Sequence, residues 1–315
     1  MSWEFDDFEE GPRGRSGEHD GDFRLSYSGS TTLLSCEQKF VYSRVQHLPE
    51  DPDAGDSYAL KFGSAFHWVC EQTLHVRTPQ VPELTQQAVR QYDLEPRDYL
   101  KLAACLTRYF WLHAASGLVV IACEIEIRDP GFYLGYVDAI MVAHDGGWWI
   151  CDLKTSSQPS MTTFRKLQRD PQLNLYASYV DKICAILNLD PKKFQGCIYR
   201  TTVKPKATPK IGETVREYIE RASVTSYSIY VRKTELHVPH IRDTFGRLFA
   251  RAAELQKGAE PIRNYGACGD WNRPCEYWSR CHGELFSETL IPYMHESSMG
   301  KEAPPSILPE EDWDF

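Results

Sequence analysis

The chain has 315 residues, of which 42% are hydrophobic and 25% charged, and this apolar content is enough for a buried core. It contains no run of about 18 apolar residues and begins with an acidic stretch, which argues against a membrane span and a secretory signal peptide. We therefore expect a soluble, cytoplasmic protein.

The net charge of -9 is concentrated at the two ends of the chain. Residues 1–24 contain eight acidic residues and three arginines, and residues 297–315 contain five acidic residues and one lysine. Because aliphatic residues are scarce there, we predict two disordered tails around one folded domain at 25–296. The last six residues, EEDWDF, mix acids with aromatics, which is typical of tails that dock on a basic groove of a protein partner. A solubilising tail is the simpler interpretation.

Three helices are predicted before the first strand. The first covers 28–45, with Ser30 or Thr31 as its N-cap, the second about 63–74, and the third 98–115.

After residue 118 the hydrophobic period changes to two, which predicts strands. In the first strand, four apolar side chains are expected on one face and two carboxylates on the other: Ile121, Cys123, Ile125 and Ile127 against Glu124 and Glu126. Turns at 129–131 and 144–147 separate this strand from two more, so the pattern predicts an antiparallel meander.

The second half of the chain predicts a helix at about 170–187, strands near 196–202 and 227–231, and a long helix at about 239–257. Helices, then three consecutive strands, then helix and strand indicate a mixed sheet with helices on its faces. The predicted fold class is α/β.

Residues 154–210 contain eleven Lys or Arg and only three Asp. This excess suits a phosphate-binding surface, although a solvated face without a ligand would have the same composition. The candidate phosphate contacts are Arg165, Lys166, Arg169, Lys204 and Lys206.

Two carboxylates, Asp138 and Asp152, interrupt apolar strands, where burial is costly unless a cation compensates the charge. Asp152 and Lys154 are two residues apart and share a face, while Leu153 points into the core. Mg²⁺ prefers oxygen ligands, and a lysine beside it can activate a water and offset developing charge. Alone, such a triplet also fits an ordinary surface salt bridge.

Other polar residues have helical spacing. Gly63, His67 and Glu71 lie at i, i+4 and i+8, so His67 and Glu71 share a face and His67 can offer an imidazole ligand. Gln172 and Tyr176 are likewise four apart on one face.

In chain order these features read G-x3-H, G-Y-V-D, D-L-K-T and Q-x3-Y. They resemble the PD-(D/E)XK nuclease superfamily, and within it the RecB-like branch of helicase-associated nuclease domains, CRISPR-associated RecB-like exonucleases and phage recombination exonucleases. The resemblance spans about 28–281. It implies a restriction-endonuclease-like core and a Mg²⁺- or Mn²⁺-dependent exonuclease that hydrolyses single- or double-stranded DNA in recombination or end processing.

The resemblance implies four metal ligands: His67, Asp138, Asp152 and the carbonyl of Leu153. Lys154 would be the catalytic lysine, and Gln172 and Tyr176 would position substrate or active-site waters. Asp152 stands where many relatives have Glu, a substitution that the superfamily's name allows. For Glu124 and Glu126, a solvent-facing position is favoured over a role in the site.

Six of the ten cysteines lie in apolar periodic segments, and four do not: Cys36, Cys268, Cys275 and Cys281. Three clustered thiols need a fourth for a tetrahedral zinc site or a cubane cluster, and Cys36 is the candidate. One distant and three clustered cysteines are similar to RecB-like nucleases that carry a [4Fe-4S] cluster, which implies an iron-sulfur subdomain from about 28–45 and 262–285. Zinc and unconnected thiols are the alternatives.

Two other functions fit the same pattern. One is a nuclease-derived DNA-binding or scaffold protein without activity, and the other is an RNA-directed or restriction-type endonuclease. The retained carboxylates and lysine favour an active enzyme over a scaffold.

Overall fold

The computed structural model describes residues 23–51, 58–75, 80–157, 163–272 and 275–282. Most of the N-terminal tail predicted at 1–24, and all of the tail predicted at 297–315, lie outside the described residues, so their predicted disorder stays a prediction. Within the described parts of the chain, none of the helices is long and apolar enough to cross a membrane.

The predicted N-cap of the first helix was wrong. Helix α1 (Tyr27–Ser35) is capped by Ser26, whose hydroxyl accepts a hydrogen bond from the Gly29 N–H at 3.0 Å. Ser30 and Thr31 lie inside the helix, and their hydroxyls bond carbonyls of the preceding turn.

The predicted helix at 28–45 is also interrupted. Cys36 is extended, with φ of -161° and ψ of 118°, so it separates α1 from α2 (Glu37–Phe40), and Val41–Val45 continues as a π-helical turn. Cys36 is therefore a break between two helices and not part of one.

Helices α3 (Tyr58–His75), α4 (Val81–Gln91) and α5 (Asp98–Ala115) follow. The third predicted helix has the bounds of α5, the second begins later than α3, and α4 was not predicted. These helices cover one face of the sheet. Their shared core with the strands includes Phe62, Phe66, Leu102, Leu106, Leu153 and Ile198.

One five-stranded sheet forms the centre of the fold, in the order β1-β2-β3-β4-β5. The strands are β1 (Val119–Asp129), β2 (Tyr133–Val142), β3 (Trp148–Ser156), β4 (Phe194–Val203) and β5 (Thr225–Arg232). The β3–β4 pair is parallel and the other pairs are antiparallel. The predicted meander and mixed sheet are thus confirmed.

The predicted alternation in β1 was wrong, because the strand changes faces at Glu124. This residue has a φ of +48°, and around it the pairing passes from Cys123–Ala139 directly to Ile125–Val137. Cys123 consequently packs on the α3 and α5 side, while Ile125 packs in the core on the other side of the sheet.

That second face is covered by α6 (Thr163–Gln168), α7 (Pro171–Ala177), α8 (Val180–Leu187) and α10 (Val238–Gln256), and α9 (Val215–Ala222) lies between β4 and β5 in sequence. The single helix predicted at 170–187 is two helices, α7 and α8. The backbone of Tyr179 leaves helical geometry between them.

The C-terminal segment packs on the N-terminal helices. It contains a 3-10 helix (Tyr265–Asn272) and α11 (Trp278–His282). The Asn264 side chain donates to the Ser35 carbonyl at 2.7 Å, and the Ser279 N–H donates to Asp51 at 2.8 Å. Residues more than 220 apart in sequence are therefore neighbours.

Candidate active site

Asp152 and Lys154 project from the same face of β3, as strand geometry predicts. The Nζ of Lys154 donates to Oδ1 of Asp152 at 2.8 Å. The Asp152 side chain is 1% exposed and the Lys154 side chain 34%. A buried carboxylate is thus paired with a lysine whose side chain is partly exposed.

Helix α7 supports this lysine through the predicted glutamine and tyrosine. Gln172 Oε1 accepts from Lys154 Nζ at 3.1 Å, and Gln172 Nε2 donates to the Tyr176 hydroxyl at 2.9 Å. That hydroxyl donates to the Tyr136 carbonyl of β2 at 2.6 Å. A lysine ammonium has three donors, so a third is left to reach a substrate oxygen.

Asp138 lies where β2 and β3 diverge. The pairing of these strands ends at Ala139–Cys151, and beyond it the Leu153 N–H donates to Asp138 Oδ2 at 2.7 Å. The N–H and C=O of one strand residue point toward the same neighbour. The Leu153 carbonyl therefore faces the same gap as the Asp138 carboxylate.

Three side chains converge on this gap: His67 from α3, Glu124 from β1 and Asp138 from β2. Their potential ligand atoms all lie within 4.8 Å of one another. His67 Nδ1 and Asp138 Oδ1 are 3.7 Å apart, too far for a hydrogen bond. One imidazole and two carboxylates at this spacing form a donor set that a divalent cation can bind.

The left-handed backbone at Glu124 explains why this residue enters the site. At the face change its side chain lies opposite Asp138, whereas Glu126 bonds Arg128 and the Tyr136 hydroxyl. Of the two glutamates considered from sequence, the structure brings only Glu124 to the metal-ligand group. A strand period of two, applied without this face change, could not reveal this.

Burial and charge set the electrostatics of the site. Burial raises the pKa of Asp152 to about 7, and Lys154 offsets only part of that rise. For Lys154, burial alone would lower the pKa, but Asp152 and Asp138 raise it. Burial would likewise raise the pKa of Asp138, yet His67 and Lys154 hold it below its usual value. The lysine is charged, and the two carboxylates differ in proton affinity.

Two tyrosines beside this pair were not predicted. Tyr199 of β4 is paired with Asp152 in the sheet, and burial raises its pKa to about 12. Tyr27 begins α1, and burial raises the pKa of its phenol, with a further rise from the charge of Asp170. If Ser26 had been chosen as the N-cap, the predicted helix would have started at Tyr27.

The predicted phosphate contacts lie past the C-terminal ends of β3 and β4 in sequence. Lys166, Arg169 and Lys206 are exposed, and burial lowers the pKa of Lys204. The Lys204 ammonium lies 5.5 Å from the Phe62 ring centroid. The side chain of Arg165 lies outside the described part of the structure.

A second cluster of potential ligands lies between the N-terminal helices and the C-terminal segment. The four cysteines singled out from sequence line one pocket together with aromatic and polar residues: Cys36, Cys268, Cys275, Cys281, Lys39, Asn264, Tyr277 and Trp278. Within the described chain, no three of these sulfur atoms lie within 4.8 Å of one another.

The sequence of the chain matches a known family over most of its length. A helix-flanked mixed sheet with carboxylates and a lysine where two strands diverge is the arrangement expected of a metal-dependent phosphodiesterase. Residues 24–282 match the PD-(D/E)XK nuclease superfamily, and the chain belongs to it. Membership implies a nuclease that binds DNA, and the sheet is consistent with a restriction-endonuclease-like fold. No curated protein gave a significant match.

Proposed function

We propose that the chain is a Mg²⁺- or Mn²⁺-dependent DNA exonuclease of the RecB-like branch that acts in recombination or DNA end processing in the cytoplasm. The hydrogen bond from Lys154 to the buried Asp152, beside the ligand group around Asp138, carries this proposal. A protein that only bound DNA would gain nothing from burying a carboxylate, because burial of a charge is costly.

The residues of the gap fit a divalent cation. His67, Glu124 and Asp138 would hold it, with Asp152 and the Leu153 carbonyl as the further ligands predicted from sequence. Asp152 is 1% exposed and accepts a hydrogen bond from Lys154, so the lysine and not solvent holds its carboxylate in position. When bound, the cation would polarise the scissile phosphate and lower the pKa of a water.

Lys154 has the central role among the chain's own residues. Its third donor would orient the attacking water or contact a phosphate oxygen on which negative charge develops. Gln172 limits where the ammonium can go, and Tyr176 fixes Gln172 to the backbone of β2. This linked set holds the lysine in one place before substrate arrives.

DNA would approach along the exposed cations after β3 and β4. Lys166, Arg169 and Lys206 are exposed and Lys204 is half-buried. Contacts of this type bind phosphate without reading sequence and weaken with added salt. Arg165 belongs to the same proposed surface on the basis of sequence alone.

We also propose a [4Fe-4S] cluster in the cysteine pocket. Four thiols from two distant segments line the same space. A tetrahedral zinc site, with Zn–S bonds of about 2.3 Å, would hold its sulfur atoms about 3.8 Å apart. In the described chain no three of these sulfur atoms lie within 4.8 Å of one another, whereas a zinc site needs all four that close, and this favours a larger group over zinc.

The remaining proposals concern partners. The acidic aromatic tail at 297–315 is a possible contact for a basic groove on another protein, on composition alone. An inactive DNA-binding protein and an RNA-directed or restriction-type endonuclease are the competing functions.

Cleavage of end-labelled DNA tests the proposal. Wild type, Lys154→Ala and Lys257→Ala would be incubated with linear single- and double-stranded DNA in Mg²⁺, in Mn²⁺ and in EDTA. Lys257 is exposed at the end of α10 and serves as the matched control. We expect metal-dependent cleavage that falls at least about 100-fold in Lys154→Ala only.

Circular and RNA substrates separate the competing functions. Cutting of circular single-stranded DNA would contradict exonuclease action. Preferential cutting of RNA would contradict the proposal that DNA is the substrate. Equal cleavage by Lys154→Ala and Lys257→Ala would remove the proposed role of the lysine.

A further inference from the structure

One side of α1 is not used by the proposed reaction. Tyr27, Thr31 and Leu34 are spaced by four and three residues, so they form one stripe along the helix. The opposite side, with Gly29 and Leu33, is buried. Leu34, in contrast, is 66% exposed, and Thr31 is also exposed.

The stripe begins at the active site. The segment before α1 is tied to the start of β2, since the Leu25 N–H donates to the Phe132 carbonyl at 3.1 Å. That end of β2 lies on the same side of the sheet as the end of β3 that carries Lys154, because the two strands are antiparallel. The Tyr136 carbonyl of β2 is linked to Lys154 through Tyr176 and Gln172. Tyr27 accordingly senses the charges of Lys154 and Asp152.

The other end of the stripe meets two more exposed apolar side chains. The Asn264 side chain donates to the Ser35 carbonyl at 2.7 Å, which holds the 262–265 segment against the end of α1. On either side of Asn264, Ile262 is 67% exposed and Tyr265 is 66% exposed. Large apolar side chains at this exposure, gathered in one place, indicate a binding surface.

A positive charge accompanies these apolar groups. Arg263 lies between Ile262 and Tyr265, is exposed, and acts electrostatically on Cys281 and Tyr42. An arginine beside an aromatic ring is the combination that binds unpaired nucleotides, since the base stacks and the phosphate pairs with the cation. In a duplex the base faces are already stacked and not available for such contacts.

We propose that this surface, made of Tyr27, Thr31, Leu34, Ile262, Arg263 and Tyr265 and called here the α1 surface, holds the unpaired nucleotides next to the scissile phosphate. The inference rests on the proposed nuclease function and adds a path for one DNA strand. The seven-residue spacing from Tyr27 to Leu34 is a rise of about 10.5 Å, which matches about three nucleotides at their stacked 3.4 Å spacing. The strand would run from the catalytic lysine toward the cysteine pocket.

Binding of short oligonucleotides tests the α1 surface. The double variant Leu34→Ser/Tyr265→Ser would be compared with the control Ile186→Ser/Ile211→Ser, which removes side chains that are 53% and 87% exposed elsewhere. Fluorescein-labelled thymidine oligonucleotides of three and twelve residues, and a blunt duplex, would be titrated in EDTA, where metal-dependent cleavage is blocked. Circular dichroism would check that both variants are folded.

We expect the α1 double variant to bind the twelve-residue strand about 5- to 20-fold more weakly than wild type, with the control within twofold. The duplex should show less than half of that loss because its bases are already stacked, and so should the trinucleotide, because it spans only Tyr27 to Leu34 and does not reach Tyr265. Equal affinity of the two double variants for the twelve-residue strand would overturn the proposal, as would an equal loss on the duplex. If the binding differences were as expected but wild type cut no DNA, the nuclease function would be refuted, whereas the α1 surface would still be supported as a DNA-binding site.

Discussion

The carboxylate site and the cysteine pocket are built in opposite ways. At the carboxylate site, Asp138 and Asp152 lie on neighbouring strands whose backbones are fixed by the sheet and by two cores. The cysteine pocket joins segments 229 residues apart through side-chain hydrogen bonds at the surface, such as that of Asn264 to Ser35. The first is preformed by the fold, whereas the second depends on contacts between distant segments at the surface.

Because of this difference, we expect substitutions at the two sites to affect different properties, activity at one and stability at the other. Substitutions at the carboxylate site should change cleavage with little loss of stability, because the removed groups are charged and costly to bury. Substitutions in the cysteine pocket should do the reverse. Four experiments test this division, from the largest expected effect to the smallest.

Asp138→Asn should have the largest effect on cleavage. It removes a metal-ligand charge while an amide oxygen can still accept from the Leu153 N–H. We expect a rate at least about 1,000-fold lower and a melting temperature within about 2 °C of wild type. Asp181→Asn, an exposed change on α8, is the control in the same end-labelled assay. Full activity of Asp138→Asn would refute the ligand assignment.

Cys275→Ala should affect the soluble yield most. The substitution would remove one of the four proposed thiolate ligands, and with it the brown absorbance expected of an iron-sulfur cluster. The control is Cys184→Ala, which removes a buried thiol of α8 that does not line the pocket. Absorbance spectra and iron content of both proteins decide the matter; retention of colour and yield by Cys275→Ala would end the cluster proposal.

Tyr176→Phe should lower cleavage about 10-fold, because the hydroxyl that fixes Gln172 and contacts the Tyr136 carbonyl is lost. Tyr179→Phe is a matched control: it also loses a buried hydroxyl, one that bonds Asp129 at 3.1 Å away from the lysine. Both variants should lose similar stability in thermal melts. A kcat loss shared equally by both would show that Tyr176 acts only through packing.

Glu124→Gly should have the smallest effect on stability. Unlike the variants above, it should stabilise the protein. The left-handed backbone at φ +48° costs a side chain about 1–2 kcal/mol, which glycine relieves, less its own entropy cost of about 0.5–1 kcal/mol. We expect a melting temperature up to about 2 °C higher and weaker Mn²⁺ binding by calorimetry. Ser223→Gly, at φ +52°, should also raise the melting temperature but should leave Mn²⁺ binding unchanged. Unaltered Mn²⁺ affinity in Glu124→Gly would exclude this residue as a ligand.

The parts of the fold that follow from local periodicity were predictable. The three-strand meander and the bounds of α5 follow from hydrophobic spacing, and the contact between Asp152 and Lys154 follows from the two-residue period of one strand. Each of these depends on neighbours in sequence. The meeting of His67 with Asp138 was predicted only through ordered motifs, because a helix and a strand far apart in sequence supply the two side chains.

Features that depend on a local exception to the period were not predictable. Glu124 enters the site where β1 changes faces at a left-handed residue, and Tyr27 lies at a helix start that Ser30 and Thr31 obscured. The break at Cys36 is also invisible to a helical pattern, since the residues on both sides have helical spacing.

The face change at Glu124 has a consequence for redesign. Because β1 and β2 switch faces at the same level, side chains two residues apart across that point belong to different cores, with Cys123 and Ala139 on one side and Ile125 and Val137 on the other. Removing one residue from either strand alone would shift one half into the wrong core. To build these metal ligands into another sheet, a designer would therefore have to transfer β1 and β2 together, including the residues on both sides of the face change.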